Sequence, residues 1–181
     1  MKKVSISESD LKIVVEALET GKISMADILF LINNKDDADE ITLTIDYSRT
    51  LQEMISAGNY HWTNSDVTER NFPLPAKLNS KKTLSARLFH FSRVMSSKDI
   101  INVMRELNYR PATLFELLAL GETYPKLQKE FPIVTLSSFM CGNDGIYTVP
   151  VLGFPGGERR LALRFLYGDW SVFFRFLAIR K

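Results

Sequence analysis

The spacing of hydrophobic positions changes along the chain, and this change predicts its architecture. In residues 7–33, apolar side chains recur at intervals of three and four, which predicts two short helices. After Pro125, short apolar runs alternate with turns rich in glycine and asparagine, which predicts strands. The pattern indicates an α+β protein, with an N-terminal helical hairpin over residues 1–35 and an α+β domain over residues 41–181.

The predicted hairpin exposes more apolar surface than two short helices can bury alone. It must pack on the rest of this chain or on a second copy, so a homodimer through residues 7–33 is one expectation. A DNA-binding helix–turn–helix is disfavoured, because residues 24–32 are apolar with one aspartate and lack basic and amide side chains. The charged run Lys35–Glu40 that follows is the best candidate for a domain boundary.

Between the hairpin and the C-terminal strands, short motifs predict four elements. They are a strand at Ile41–Ile45, a helix that a Thr50–Glu53 capping box begins and Gly58 ends, a strand at Thr83–Phe91, and a helix that opens at Ser96. Tyr60, His61 and Trp62 follow the first of these helices. We expect them to pack at the edge of a core, because aromatic residues bury much area, although stacking on a base is an alternative.

The segment Tyr109–Leu120 divides the chain into its helical and its strand-rich part. We expect Pro111 to fix the entry of a helix here, Thr113 and Glu116 to form its capping box, and Gly121 to end it. Together with the helix that opens at Ser96, this helix would flank a C-terminal antiparallel sheet.

Four strands are predicted beyond this segment, at Ile133–Leu136, Ile146–Leu152, Arg160–Tyr167 and Val172–Ile179. Their connections are short, which favours antiparallel pairing because parallel strands need a longer crossover. Tyr167–Trp170 is predicted to be a short hairpin turn that joins the last two strands.

Two of these motifs resemble a known fold. Tyr109–Thr113, which contains Arg-Pro-Ala-Thr, leads into a helix, and Arg175–Arg180 forms a closing strand. This arrangement is similar to the C-type-lectin-like fold, in the branch of formylglycine-generating-enzyme-type domains. The resemblance covers residues 83–181 and implies a sheet platform for binding loops, in which the closing strand returns beside the first strand.

The sequence departs from that family where activity is concerned. The oxidising enzymes of the family use a pair of cysteines, and this chain has only Cys141. The calcium motifs of sugar-binding lectins, Glu-Pro-Asn and Trp-Asn-Asp, are absent from the sequence. The resemblance therefore implies a scaffold and no particular activity.

Composition limits the compartment and the chemistry. A length of 181 residues with 45% hydrophobic content suits one domain with a small appended module. One cysteine excludes an intramolecular disulfide and suits a reducing cytoplasm, which is the expected location. No apolar run approaches the roughly 18 residues of a membrane-spanning helix, so we expect no membrane and no secretory signal.

Catalytic motifs are missing from the sequence. It contains no phosphate-binding loop and no Gly-x-Ser-x-Gly. Cys141 would need a histidine or a helix N-terminus to become a nucleophile, and only His61 and His90 are available. We expect no metal and no cofactor, and an enzyme remains only as an alternative.

The distribution of charge along the chain is the feature of the sequence that indicates a binding function. Residues 1–75 carry 7 lysines and arginines against 13 acidic residues, whereas residues 76–181 carry 16 against 8. This asymmetry fits either mutual attraction of the two parts or an acidic partner of the basic part. Arg160 and Arg164 share one face of their predicted strand, and Arg175 would join them across the hairpin.

These residues define the predicted ligand-binding surface, which consists of Arg160, Arg164, Arg175, Tyr167, Trp170 and Asp169. We expect a non-catalytic binding or interaction module whose ligand also contacts the loops at 139–146 and 153–158. A protein or another acidic molecule is the expected partner. A nucleic acid, bound through the basic half of the chain, is the alternative.

Overall fold

The computed structural model describes Lys12, Val15, Glu16 and residues 40–74 and 80–181. Lys12, Val15 and Glu16 are helical and exposed. The chain divides into two compact units, Met1–Ala38 and Asp39–Lys181. The predicted hairpin over residues 1–35 and the dimer contact through residues 7–33 belong to the first unit and, apart from those three residues, lie outside the described residues.

The described residues of the second unit form a mixed α+β structure with a large sheet and four helices. Its elements in chain order are β1 Ile41–Asp46, α1 Leu51–Ala57, β2 Trp62–Thr63, β3 Lys81–His90, β4 Met95–Ser96, α2 Ser97–Glu106, β5 Tyr109–Pro111, α3 Leu114–Thr123, α4 Leu127–Glu130, β6 Ile133–Val134, β7 Met140–Cys141, β8 Tyr147–Gly153, β9 Arg160–Phe165, β10 Asp169–Trp170 and β11 Arg175–Arg180. A short 3₁₀ turn, Pro155–Gly157, separates β8 from β9.

The strands of the large sheet follow the order β1-β3-β11-β6-β8-β9-β2, with β5 also paired to β11 and β7 to β8. The closing strand β11 lies antiparallel to β3, with Phe176 opposite Phe89. Two pairs, β6 with β11 and β2 with β9, are parallel, so the expected antiparallel pairing does not hold throughout. Both parallel pairs join strands far apart in the sequence, which leaves enough chain for a crossover.

The predicted hairpin between the last two long strands is wrong. β8 and β6 lie between β9 and β11 in the sheet. Instead of turning directly, the chain forms β10, which pairs with β4 and places Trp170 opposite Met95. The indole of Trp170 is 5% exposed and packs edge-on against Phe174 and Phe176. Burial of this large side chain outweighs the local preference for a tight turn.

Both faces of the sheet are covered. Paired residues share a face, so one face presents the apolar side chains of β1, β3, β8, β9 and β11 to α1 and α3, and together they form the main core. Its fully buried members include Leu43, Ala86, Leu152, Leu161 and Leu177 from the strands and Leu51, Met54, Leu117 and Leu118 from the helices. A second buried set, outside this cluster, contains Phe89, Phe91, Tyr109, Trp170, Phe176 and, from α2, Ile100 and Met104.

The helix starts follow the sequence closely. Thr50 with Glu53 and Thr113 with Glu116 form the two predicted capping boxes of α1 and α3. Ser96 caps α2 through the backbone N–H of Asp99. These motifs act within one helical turn, which explains why local sequence predicts them.

Two predictions about α3 are wrong. Pro111 does not begin the helix, because it lies in β5 opposite Ala178 of β11. Gly121 does not end it, because α3 continues to Thr123. A Cβ at Gly121 would lie 2.1 Å from Oη of Tyr60, so this glycine allows close packing within the helix.

Candidate binding surface

The structure separates the three arginines of the predicted surface. Arg160 and Arg164 share one face of β9, as expected from alternation. Arg175 is paired with Ile133 of β6, which the strand register places on the sheet face that packs against α1 and α3. The expectation that the three guanidinium groups meet across a hairpin is therefore wrong.

Two of these arginines interact within the fold. Arg160 forms an ion pair of 2.8 Å with Glu158, and both side chains are about half exposed. Arg175 lies over the ring of Phe131, with 4.7 Å between guanidinium carbon and ring centroid, and donates to backbone carbonyls of the preceding turn. Both groups have intramolecular partners, so neither marks a ligand site by itself.

Arg164 is exposed and is held in place by an aromatic support. Its guanidinium carbon lies 5.1 Å from the ring centroid of Phe174. Beneath that ring, Trp170 is buried and donates from Nε1 to Oγ of Ser97 over 2.7 Å. The expectation that Trp170 lies on an exposed tip is wrong, whereas Asp169 and Tyr167 beside it are exposed.

Three aromatic rings form a series near the start of β8 and the end of β9. The centroids of Phe139 and Tyr147 are 5.7 Å apart, and those of Tyr147 and Tyr167 are also 5.7 Å apart, edge to face. Phe139 is 52% exposed and Tyr167 is 71% exposed. Arg164 lies opposite Val149, which is on the same face of β8 as Tyr147. We call Phe139, Tyr147, Tyr167 and Arg164 the Tyr147 surface.

A hydrogen-bonded turn connects the segment that carries Phe139 to the strand that carries Tyr147. Between β7 and β8, the backbone N–H of Gly142 donates to the carbonyl of Ile146, and Gly145 has a φ of +77°. The carboxylate of Asp144 accepts from the backbone N–H of Ile146 over 3.0 Å. The Asp144 side chain therefore stabilises this turn, and Tyr147 directly follows a hydrogen-bonded hairpin connection.

The cysteine and the histidines have separate environments. Cys141 is exposed, lies opposite Tyr147, and its thiol contacts the carbonyl of Gly142 at 3.6 Å. His90 pairs through Nε2 with the carbonyl of Val172, and burial together with nearby Arg175 lowers its pKa. His61 accepts a hydrogen bond from a backbone N–H at Nδ1. In residues 40–74 and 80–181, no group of three or more His, Cys, Asp or Glu could hold a metal ion.

The most buried arginine is one that the sequence did not single out. Arg159 is 8% exposed, and its guanidinium donates to the carbonyl oxygens of Gly58 and Gly121 and, over 3.1 Å, to Oε1 of Gln128. It also lies 5.0 Å over the ring of Tyr60. These five residues are the Arg159 node.

The Arg159 node joins the ends of two helices. Gly58 caps α1, and Gly121 lies near the end of α3. Carbonyls at helix C-termini lack intrahelical partners and carry partial negative charge, so they can accept from a buried cation. No sequence motif distinguishes Arg159 from its neighbour Arg160, which is why this role could not be predicted.

A second buried network surrounds the capping glutamate of α3. Glu116 is fully buried and receives two hydrogen bonds from the guanidinium of Arg110, at 2.9 and 2.6 Å. Tyr47 donates to the same carboxylate over 3.3 Å. The hydrogen bonds to Glu116 raise the pKa of Arg110, and burial with the nearby Glu116 charge raises the pKa of Tyr47.

The aromatic cluster after α1 is split between two roles. Tyr60 packs against the main core, as the packing interpretation expects. His61 is exposed, and Trp62 is 45% exposed on the short edge strand β2. The packing interpretation thus holds for one of the three residues.

In the part of the chain that the structure describes, every helix is too short or too polar to span a bilayer. No protein-family model, curated protein or solved structure matches this chain. The assignment of a function therefore depends on the geometry of the chain's own residues.

Proposed function

We propose that this chain is a non-catalytic binding module and that its protein ligand contacts the Tyr147 surface. The observation that carries the proposal is the series of three aromatic rings in which Phe139 and Tyr167 are exposed and Tyr147 between them is half-buried. Burial of large aromatic side chains away from water is favourable. Contiguous exposed apolar groups therefore mark interaction sites. Tyrosine, phenylalanine and arginine are also the residue types enriched at protein interfaces.

Rigidity supports this proposal. Tyr147 begins β8, and Arg164 lies in the paired strand β9, with its guanidinium over Phe174. Side chains that are already ordered lose less conformational entropy when a ligand binds. A preorganised surface of this kind suits recognition without catalysis.

The charges around the Tyr147 surface favour a polypeptide over a nucleic acid. The exposed carboxylates of Asp144 and Asp169 flank it, since Asp144 lies in the β7–β8 turn and Asp169 is two residues from Tyr167. A phosphate backbone carries a negative charge at every nucleotide and would meet these carboxylates, whereas a peptide can place one carboxylate at Arg164 and apolar side chains beside the rings.

We also propose the C-type-lectin-like arrangement for residues 83–181. Its support is the antiparallel pairing of β3 with β11 and the short strand β5, Tyr109–Pro111, which precedes α3 in the chain. The presence of a single cysteine supports a cytoplasmic location. The homodimer through residues 7–33 stays a prediction.

A comparison of protein recovery from an extract of the source cells tests the proposed function. The immobilised full chain should retain a discrete set of proteins that the double variant Phe139→Ala/Tyr167→Ala loses. The matched control is Trp62→Ala, which removes an exposed aromatic side chain at the far end of β9 and should leave recovery unchanged. Equal recovery by both variants would reject the Tyr147 surface.

A heparin column distinguishes the nucleic-acid alternative. If the chain uses its arginines on phosphate, it should bind heparin at low salt and Arg164→Ala should elute earlier. We expect Arg164→Ala and Arg160→Ala to elute together. A selective effect of Arg164→Ala would favour nucleic acid over a protein ligand.

A further inference from the structure

We propose that the ligand includes an extended peptide segment that adds as a strand to the open half of the β9 edge, with an acidic side chain facing Arg164. This inference rests on the proposed function, because the added strand would end beside the Tyr147 surface. The inference specifies the chemistry of the partner. The partner must have an extended backbone that is free to pair as a strand, and its side chains must alternate between apolar and acidic.

The edge of β9 is only half paired. On one side, β8 accompanies β9 along its whole length, from Arg160 to Phe165. On the other side, β2 pairs with Arg160 and Leu161 only, and ends at Thr63. From Leu163 onward, no strand in residues 40–74 or 80–181 pairs with this side of β9.

A proline shows where the backbone groups of this segment point. Leu163 lies opposite Pro150, which has no N–H, so the two residues form a non-hydrogen-bonded pair. Residues at odd positions of β9 therefore direct their N–H and C=O groups away from β8. The carbonyl of Leu161 shows this direction, since it accepts from the N–H of Asn64. By the same alternation, Leu163 and Phe165 offer their backbone groups to a further strand.

The side chains of the open segment alternate in character. Phe165 is 65% exposed, and Leu163 beside it on the same face is half-buried. Arg164 is exposed on the opposite face. Exposed edge strands in soluble proteins are usually protected by charges, prolines or bulges, and an unpaired edge with a projecting phenylalanine is a template for pairing. A complementary strand would place apolar groups beside Leu163 and Phe165 and a carboxylate opposite Arg164.

Two twofold pairings of this edge with a second copy of the chain are unfavourable. A twofold pairing centred on Arg164 would place this residue directly opposite its own counterpart, and like charges in that position are destabilising. A pairing centred on Leu163 would place Phe165 opposite Leu161, whose edge β2 already occupies. Charge complementarity therefore favours a different chain with an acidic residue at the central position.

The position of the open segment links it to the aromatic rings. β9 ends at Phe165, and Tyr167 of the Tyr147 surface follows two residues later. A peptide that extends past Phe165 would reach Tyr167 and Tyr147. In strand addition, main-chain hydrogen bonds supply affinity and side-chain contacts supply specificity, so Arg164 and the rings would select the sequence.

A displayed library of random nine-residue peptides, selected on the full chain, tests this inference. We expect the enriched peptides to alternate apolar residues with Asp or Glu. Their affinity, measured by fluorescence anisotropy, should fall at least about tenfold with Phe165→Pro, which removes one outward N–H without removing a bond to β8. Phe165→Ala is the matched control, because it keeps the N–H, and it should cost less. Failure to enrich such peptides would overturn the inference.

Hydrogen exchange gives a second measurement that does not need the proline variant to fold. Binding of a selected peptide should slow exchange of the Leu163 and Phe165 amides at least about tenfold, because the added strand would hold both in hydrogen bonds. Unchanged exchange at both amides, with the peptide bound, would overturn strand addition.

The two proposals fail in different ways. In one outcome, Tyr167→Ala weakens peptide binding, Phe165→Pro does not weaken it, and exchange of the Leu163 and Phe165 amides is unchanged. This outcome would retain the Tyr147 surface and reject strand addition. Binding that Phe165→Pro abolishes and Phe139→Ala/Tyr167→Ala leaves unchanged would retain strand addition and reject the proposed role of the rings.

Discussion

Arg159 and Arg164 are five residues apart in the chain, yet their guanidinium groups are in opposite environments. Arg159 is buried and donates to two backbone carbonyls at helix ends and to Gln128. Arg164 is exposed and has an aromatic ring on one side of its guanidinium. The first group neutralises dipoles that the fold creates, and the second remains accessible to a ligand.

The tyrosines of the two regions differ in the same way. Tyr60 fits beside Gly58 and Gly121, where side chains larger than hydrogen would meet its ring or hydroxyl. Tyr167 is largely exposed, and its ring contacts the ring of the half-buried Tyr147 edge to face. Residue type alone does not separate a packing role from a binding role, whereas the space around each side chain does. The Arg159 node should therefore determine stability, and the Tyr147 surface should determine binding.

The largest expected effect is that of Arg159→Met. This substitution leaves the carbonyls of Gly58 and Gly121 and the amide of Gln128 without their donor in a buried site. Unsatisfied buried polar groups cost about 1–3 kcal/mol each, so we expect a loss of about 3 kcal/mol or more in the free energy of unfolding. Urea unfolding measures it.

Arg160→Met is the matched control for this prediction. It removes a half-exposed guanidinium that pairs with Glu158, and exposed ion pairs contribute about 0–1 kcal/mol. Equal losses from the two neighbouring substitutions would contradict the assigned role of the Arg159 node.

A smaller effect is expected from Gly121→Ala. Alanine normally stabilises a helix relative to glycine by about 1 kcal/mol. Here its Cβ would lie 2.1 Å from Oη of Tyr60 and 3.0 Å from Cδ1 of Leu152. We expect a net destabilisation of about 2 kcal/mol, as for other overpacked sites.

Tyr60→Phe completes a double-mutant cycle with Gly121→Ala. The phenylalanine removes a buried hydroxyl that has no hydrogen-bond partner among the described residues, so alone it should be nearly neutral. It should recover at least about 1 kcal/mol of the loss in the double variant. Strict additivity of the two substitutions, or stabilisation by Gly121→Ala alone, would show that the close approach is not as described.

A gradual effect is a loss of stability at alkaline pH. Burial raises the pKa of Tyr60, and burial with the Glu116 charge raises that of Tyr47, above the ordinary value of about 10. The native state therefore favours both neutral phenols. The contribution of the two phenols to the free energy of unfolding is complete below pH ~10. It is lost as the pH rises toward the pKa of each phenol in the native state, at no more than about 1.4 kcal/mol per pH unit for each phenol.

Urea unfolding between pH 8 and 11 measures this dependence. The double variant Tyr47→Phe/Tyr60→Phe should show a shallower decline than the wild-type chain above pH ~10. The same slope in both proteins would mean that these two phenols do not cause it.

Local sequence predicted those features that depend on a few neighbouring residues. The capping boxes at Thr50 and Thr113 and the Ser96 cap of α2 each close within four residues. Alternation likewise located β1, β3, β8 and β9 within a few residues of their bounds. Such motifs carry their physical cause in the sequence itself.

Features that depend on distant residues were not predictable in this way. Arg159 is distinguished by the carbonyls of Gly58 and Gly121, which lie 101 and 38 positions away. Trp170 does not lie at the tip of the expected hairpin, because its indole is buried against Phe174 and Phe176. The Tyr147 surface likewise combines a loop, two strands and a turn that only the folded sheet places together.

The double variant Phe139→Ala/Tyr167→Ala tests most directly whether stability and binding depend on separate residues. We predict a free energy of unfolding within about 1 kcal/mol of the wild-type value, because both side chains are more than half exposed, together with loss of the proteins recovered by the wild-type chain. A loss of stability as large as that of Arg159→Met, with protein recovery intact, would contradict the account.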